Sequence, residues 1–279
     1  MVIIRLFGAL VRAAFVIVLI ALPSLILTDA SVDGAEIVAL VALFGAALTI
    51  FEYAPVYPCL IEFRDAPPFN RIRFFCLFVT VLMLSLMLRG HTDPTPLTEF
   101  VYAVGAIIGQ SVDFPYSPVR LVTLLLPETA DAAHITLVRS AAGLSFLVGL
   151  LSLAIFILSL RVYDWPARSG SFNVWINLPT FDPTAGGDVV ERLERDARFN
   201  IAAGFLLPFL TPIVLRSASD LFGSVSLDHP QSMIWVISAW AFLPASLFMR
   251  GIAMGRIAAM IEGKRRQTST AEEKLMQAA

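Results

Sequence analysis

Six apolar segments, each bounded by charged or polar residues, set the strongest limit on what this chain can fold into. A transmembrane helix needs about 20 mostly apolar residues, and somewhat fewer where flanking arginines reach the headgroups. The segments that qualify are Ala13–Thr28, Ile37–Tyr53, Phe74–Leu88, Ala141–Leu160, Ile201–Leu215 and Ser232–Met249. The sequence therefore predicts an all-α fold, a polytopic membrane helix bundle with six transmembrane helices.

The scarcity of charge supports the same class of protein. Charged residues make up 15% of the chain and the net charge is −2, whereas a soluble domain carries about 25% charged residues. This composition excludes a soluble enzyme and a nucleic-acid-binding protein. The two cysteines, Cys59 and Cys76, do not form a CxxC motif and predict no disulfide framework.

A seventh apolar segment, Leu97–Gln110, is too short to span a membrane easily and contains Glu99. It follows Thr95-Pro96, which is a typical helix start. A second short stretch, Pro118–Leu126, follows Ser117. We expect two short helices that either lie flat on the outer surface or re-enter the membrane as a hairpin. Both alternatives return the chain to the side it left, so the number of spans stays at six.

The distribution of basic residues predicts the orientation. With six spans and both termini inside, sixteen basic residues fall on the cytoplasmic side and four, Arg89, Arg120, Arg139 and Arg216, fall outside. Such a bias is the positive-inside signal, and it fits a bacterial inner membrane. A full span at Leu97–Gln110 would turn the later basic clusters outward, so we reject it. The first segment also resembles a secretory signal, but we expect an uncleaved span.

The chain divides into four parts by this topology. Residues 1–89 form a three-span N-terminal half, and 90–139 form the outer segment with two short helices. Residues 140–263 form a three-span C-terminal half with a large cytoplasmic loop at 161–200, and 264–279 form a polar cytoplasmic tail. The two halves resemble an inverted repeat, but their equivalent loops differ about fivefold in length and share no sequence pattern.

The two inner loops carry the residues that we expect to bind lipids or a protein partner. The first loop is rich in proline and ends in a cluster of arginines, and the second mixes aromatic and polar residues before a helix capped by Asp188. That helix has acid-to-base pairs four residues apart and should run into the fifth span. The candidate lipid- or partner-binding residues are Arg64, Arg71, Arg73, Trp175, Asp182, Arg192, Arg195 and Arg198.

Two further motifs concern helix geometry. Pro208 and Pro212 interrupt the hydrogen bonds of the fifth span and predict either a hinge or a packed kink. Gly251 and Gly255 form a GxxxG pattern that permits close helix packing, within the chain or between two copies.

No motif for catalysis or for a cofactor is present. The middles of the six spans lack ionisable residues, which argues against an ion-coupled carrier. His91, His134 and His229 fall on one side, but their spacing does not predict a metal site. We therefore expect no metal and no cofactor, and we leave catalytic activity open.

The function that fits these observations is a non-catalytic accessory, assembly or scaffold subunit of a larger membrane complex. Its expected partners are membrane lipids and one or more proteins in the membrane or at the cytoplasmic face, and not nucleic acid. The first alternative is a channel or uncoupled transporter, and the second is an interfacial lipid-modifying enzyme.

Overall fold

The structure is a computed structural model that describes residues 2–27, 32–166, 172–182, 184, 186–222 and 227–278. Within these ranges the regular secondary structure is helical throughout, and no strand occurs in them. The helices are α1 (Val2–Ile26), α2 (Val32–Tyr53), α3 (Phe69–Arg89), α4 (Pro96–Ser111), α5 (Pro118–Thr123), α6 (Ala132–Val162), α7 (Val174–Asn177), α8 (Val189–Phe222) and α9 (Pro230–Ala278).

Among the described residues, α1, α2, α3, α6, α8 and α9 are long and apolar enough to cross a membrane. Each contains one of the six segments predicted from the sequence, apart from the last two residues of the first segment. The predicted all-α fold and six long apolar helices are therefore confirmed for the described residues, and they are compatible with a multi-pass membrane protein. Two boundaries differ from the sequence prediction. The third helix begins at Phe69, which places Arg73 one turn inside it, and α9 continues past Met249 to Ala278.

Helices α3, α6 and α9 pack against one another at the centre of the bundle, and α8 lies along α9. Their contact is filled by side chains that are at most 1% exposed, among them Val81, Leu84, Val138, Ala142 and Ile234. Burial of these apolar side chains is the main contribution to packing of the helices at this contact.

Helix α2 forms the edge of the bundle and packs mainly against α1. Its outer face carries Leu40, Phe44 and Phe51, which are 68%, 66% and 65% exposed. An apolar face of this kind is stable in contact with lipid tails and would be unstable in water.

The two ends of the bundle differ, and we name each after the segments that cover it. At the hairpin end, α4 and α5 connect the last turn of α3 to the first turn of α6. Thr95 caps α4, and Ser117 caps α5 through a hydrogen bond from Arg120 N, as the sequence predicts. At the loop end, residues 54–68 meet the described residues of the ranges 163–166, 172–182 and 186–188, together with the adjoining turns of α3, α6, α8 and α9.

Candidate functional site

The loop end contains an aromatic cluster that joins the two inner loops. Phe63 is 1% exposed, and its ring centroid lies 4.4 Å from that of Phe69 and 6.0 Å from that of Trp165. Phe69 in turn contacts Phe156 of α6. Phe63 also donates its backbone N–H to the carbonyl of Asn177, at 2.6 Å. Residues more than 100 positions apart thus share one buried core.

A partly buried ion pair lies beside this cluster. Arg250 of α9 donates through Nε and Nη2 to the two carboxylate oxygens of Glu62, at 2.6 and 2.8 Å. The side chains are 29% and 11% exposed. Thr180 donates its hydroxyl to the same carboxylate at 2.8 Å. A bidentate, charge-assisted pair at low exposure is among the strongest polar contacts a protein makes, and here it fastens both loops to α9.

The first inner loop is folded around a second carboxylate. Glu52, at the end of α2, accepts hydrogen bonds from the backbone N–H groups of Cys59, Leu60 and Ile61, at 2.9 to 3.1 Å. The side chain of Glu52 therefore fixes the backbone of the loop in one conformation. Prolines in the same segment further reduce the conformational freedom that is lost on ordering.

Arg64 completes the fold of this loop and does not face outward. It donates to the carbonyl oxygens of Glu52, Pro55 and Val56 and pairs with Asp65, and its side chain is 4% exposed. The guanidinium donors of Arg64 are thus used inside the loop, and the expectation that Arg64 binds lipid or a partner stays a prediction.

The other two arginines of that cluster lie differently. Arg71 is exposed on α3. Arg73 is half-buried, with its guanidinium carbon 5.1 Å from the Phe69 ring centroid and 5.8 Å from that of Phe242. The structure thus separates three arginines that the sequence treats as one group.

The candidates of the second inner loop are spread over its surface. Asp182 accepts from the backbone N–H and the hydroxyl of Thr184. Arg192 stacks on Phe181 at 4.7 Å. Arg195 and Arg198 are 73% and 75% exposed at the side chain. The side chain of Trp175 lies outside the described residues.

Asp188 caps α8 as predicted, with its carboxylate accepting from Val190 N at 2.6 Å. The carboxylate also pairs with Arg265 of α9, likewise at 2.6 Å. The hydrogen bond from Arg265, together with that from the Val190 backbone, lowers the pKa of the Asp188 carboxyl below its ordinary value.

The two prolines of α8 have a defined structural consequence. Pro212 has no N–H, so the carbonyl of Pro208 loses its usual helical donor. Trp240 of α9 supplies a replacement, because its indole Nε1 donates to that carbonyl at 3.0 Å. Helix α8 runs through both prolines without a break. This bond favours a packed kink over a hinge.

Close packing of α8 on α9 depends on glycines of both helices. A Cβ on Gly251 would lie 2.7 Å from the Ala197 carbonyl oxygen, and one on Gly204 would lie 3.0 Å from that of Pro244. Gly255 is less crowded, at 3.8 Å from the Ala197 side chain. Both glycines of the GxxxG pattern therefore face α8 of the same chain. Nearby, an apolar cavity of about 260 Å³ opens between α6 and α8.

The hairpin end has its own carboxylate. Asp113, in the turn after α4, is 9% exposed at the side chain and pairs with Arg120 and Arg139. At the crossing of α4 and α6, a Cβ on Gly109 would lie 2.6 Å from the Arg139 carbonyl oxygen. The turn is thus held against α6 by charge and by close backbone contact.

Within the described residues the three histidines do not form a metal-binding group. His134 lies 3.7 Å from Asp228, whereas His91 contacts the ring of Tyr102. Among the described residues, no group of three histidine, cysteine or acidic side chains is placed to hold a metal ion.

Comparison of the chain with known protein families, with characterised proteins and with solved structures finds no match.

Sequence reasoning missed the roles of Glu62, Arg250 and Trp240. One signal was available for Arg250, because apolar residues continue on both sides of it, in FMRGIAM. An arginine inside a long apolar helix needs an acidic partner. No signal identified Glu62 as that partner, since the two residues are 188 positions apart.

Proposed function

We propose that this chain is a non-catalytic accessory or scaffold subunit of a larger membrane complex. In this proposal the loop end faces the cytoplasm of a bacterial inner membrane and holds a protein partner. The distribution of basic residues supports the orientation, because the topology predicted from the sequence assigns sixteen of the twenty to the cytoplasmic side and only four to the outer side.

The observation that carries the proposal is an exposed apolar rim on a loop with a fixed backbone. Val56, Tyr57 and Leu60 are 50%, 67% and 72% exposed, although the loop that bears them is tied down by Glu52 and Arg64. A rigid surface loses little conformational entropy when it binds. Tyrosine is also enriched at protein interfaces. We call Val56, Tyr57 and Leu60 the rim.

A channel receives less support from the geometry. Buried apolar side chains fill the contact of α3, α6 and α9 at the centre of the bundle, where an aqueous path between these helices would have to run. The charged side chains of low exposure lie at the two ends of the bundle, whereas the polar side chains buried within α3, α6 and α9 are small hydroxyls, among them Thr80, Ser85, Ser145 and Ser238.

The proposal is tested by replacing Tyr57 with a photoreactive amino acid in cells that express the chain at its natural level. Phe100 of α4 is the matched control, because it is 65% exposed at the hairpin end. We expect irradiation to attach one discrete protein to position 57 and none to position 100.

Mass spectrometry of the product then identifies the partner, and removal of the rim with Tyr57→Ser and Leu60→Ser should release it. Equal labelling at both positions would contradict the proposal. So would migration of the unmodified protein as a lone monomer in native gels prepared with a mild detergent.

A further inference from the structure

Arg73 is a cation whose hydrogen-bonding capacity is mostly unused. Its guanidinium lies against two aromatic rings, as described above, and its one hydrogen bond within the described residues is a long one, from Nη1 to Asn70 Oδ1 at 3.5 Å. The Nε atom is buried without an acceptor. A half-buried guanidinium without an anionic partner is unfavourable, so this position is expected to attract an anion.

No neighbouring carboxylate forms a salt bridge with Arg73 in the described part of the chain. Glu62 lies within electrostatic reach of Arg73, but its oxygens accept from Arg250 and Thr180. Asp65, the other acid near this region, pairs with Arg64. The acids that surround Arg73 are thus committed to other donors.

A second arginine lies on the same side of the bundle. The guanidinium carbon of Arg12 in α1 stacks 4.7 Å from the ring centroid of Tyr53, the last residue of α2. Arg12 donates to the Gly8 carbonyl at 2.8 Å and forms no salt bridge with an acid in the described part of the chain. Tyr53 lies within electrostatic reach of both Arg12 and Arg73.

The surroundings place these groups at headgroup depth. The ring centroids of Phe15 in α1 and Phe74 in α3 are 5.9 Å apart. Phe15 follows Arg12 by three residues, and Phe74 follows Arg73 by one. This contact forms an apolar floor beneath the two arginines. Tyr53 ends α2 and Arg73 lies one turn inside α3, and tyrosine and arginine close to helix ends are the usual arrangement where a membrane meets water.

We propose that Arg12, Tyr53 and Arg73, which lie where the α1–α2 hairpin meets α3, bind the phosphate group of one anionic lipid. Guanidinium donors match phosphate oxygens in geometry and charge. The Tyr53 hydroxyl is a further donor, and the phenylalanine floor suits the first carbons of an acyl chain. Basic pockets between transmembrane helices recognise lipid headgroups in this way. Inorganic phosphate shares the headgroup chemistry but lacks the chain.

The test is native mass spectrometry of the full-length protein, purified in a mild detergent and titrated with phosphatidylglycerol or phosphatidylcholine. The wild-type protein should bind one phosphatidylglycerol in preference to phosphatidylcholine. Loss of one charge-assisted contact should weaken that binding about tenfold, so Arg73→Gln and Arg12→Gln should each have this effect. Arg71→Gln is the matched control, because it removes the same charge from an exposed position of α3.

Two further arms make the result decisive. Arg73→Lys keeps the charge without the planar fork, and it should bind less tightly than wild type and more tightly than Arg73→Gln. Inorganic phosphate at about 100-fold excess over lipid should leave the bound phosphatidylglycerol in place. Displacement by phosphate would instead identify the site as one for a soluble anion and overturn the assignment to lipid.

The proposal also fails if Arg71→Gln weakens binding as much as Arg73→Gln, since the effect would then be general surface attraction. If Arg73→Gln does not fold, Arg12→Gln still tests the lipid site, because Arg12 is exposed. Unchanged binding by a folded Arg12→Gln variant would refute the three-residue site.

Discussion

Each end of the bundle contains a partly buried carboxylate in a salt bridge, Asp113 at the hairpin end and Glu62 at the loop end, but the two carboxylates connect very different lengths of chain. At the hairpin end, Asp113 pairs with residues 7 and 26 positions away. At the loop end, Glu62 bonds with residues 118 and 188 positions away. The same chemistry therefore fastens a local turn at one end and joins the two halves of the molecule at the other. How much a buried ion pair matters depends on which segments it connects.

The largest expected effect comes from Glu62→Ala. It leaves Arg250 half-buried without its partner, and removing one member of a buried pair costs about 3 kcal/mol or more. We expect a marked loss of thermal stability in detergent, with greater hydrogen exchange in both inner loops.

Asp113→Ala is the matching change at the hairpin end. It should cost less, about 1 to 2 kcal/mol, because Arg120 is 46% exposed and can be solvated when its partner is lost, although Arg139 is as exposed as Arg250, at 29%. Its effect on hydrogen exchange should stay within α4 and α5. If Asp113→Ala also opened the inner loops, the contrast between the two ends would be wrong.

Gly109→Ala tests the other means by which the hairpin end is held. The new Cβ would lie 2.6 Å from the Arg139 carbonyl oxygen, and crowding of this kind costs about 1 to 3 kcal/mol. The control is Gly263→Ala in α9, where a Cβ meets nothing within 4 Å. In the helix that substitution should be neutral or slightly stabilising. Equal melting temperatures for the two variants would refute a tight α4–α6 crossing.

Between the two ends, α8 and α9 are joined by the neutral hydrogen bond from Trp240 to Pro208. This bond should contribute less to stability than the loop-end ion pair. Trp240→Phe leaves the Pro208 carbonyl without its replacement donor, at a cost of about 1 to 2 kcal/mol. Pro212→Ala restores an N–H that can serve this carbonyl along the helix. The loss caused by Trp240→Phe should therefore shrink in the Pro212→Ala background. An unchanged loss in the double-mutant cycle would show that Trp240 acts through packing alone.

The smallest effect is expected at the exposed pair of Asp188 and Arg265. Asn caps helices about as well as Asp, so Asp188→Asn removes the charge contact and keeps the cap. Because the pKa of Asp188 is lowered in the folded protein, its contribution is present above the ordinary carboxyl pKa and disappears as the pH falls through the lowered value. Melting curves of wild type and Asp188→Asn should differ slightly at neutral pH and coincide in acid.

The sequence predicts helices well here and contacts poorly. Hydrophobic length located all six apolar helices, and capping residues such as Thr95 and Asp188 located helix starts. These signals are local, since they depend on neighbours within a few residues. They also predicted that the charged helix after Asp188 continues into the fifth span, as α8 does.

For the candidate site, the sequence predicted the loops that contain it but not the contacts that its residues make. The sequence predicts one basic cluster of Arg64, Arg71 and Arg73. Tertiary contacts decide how far each arginine is buried, and no local sequence pattern contains those contacts. The missing N–H of Pro212 predicts a carbonyl without its helical donor, that of Pro208. The residue that replaces the donor, Trp240, lies 28 residues after Pro212 and was not predictable from the sequence. Where the partner of a buried polar group is distant in sequence, a single sequence does not identify it.

The long separation of Glu62 and Arg250 in the sequence has a consequence for biosynthesis. A ribosome adds about 5 to 20 residues per second, so Arg139 follows Asp113 within about 1 to 5 s, whereas Arg250 follows Glu62 only after about 10 to 40 s. During that interval the first three helices are already made, and Glu62 has no arginine of α9 to pair with. The loop end is therefore the last part of the molecule to close, and it closes only when the final helix arrives.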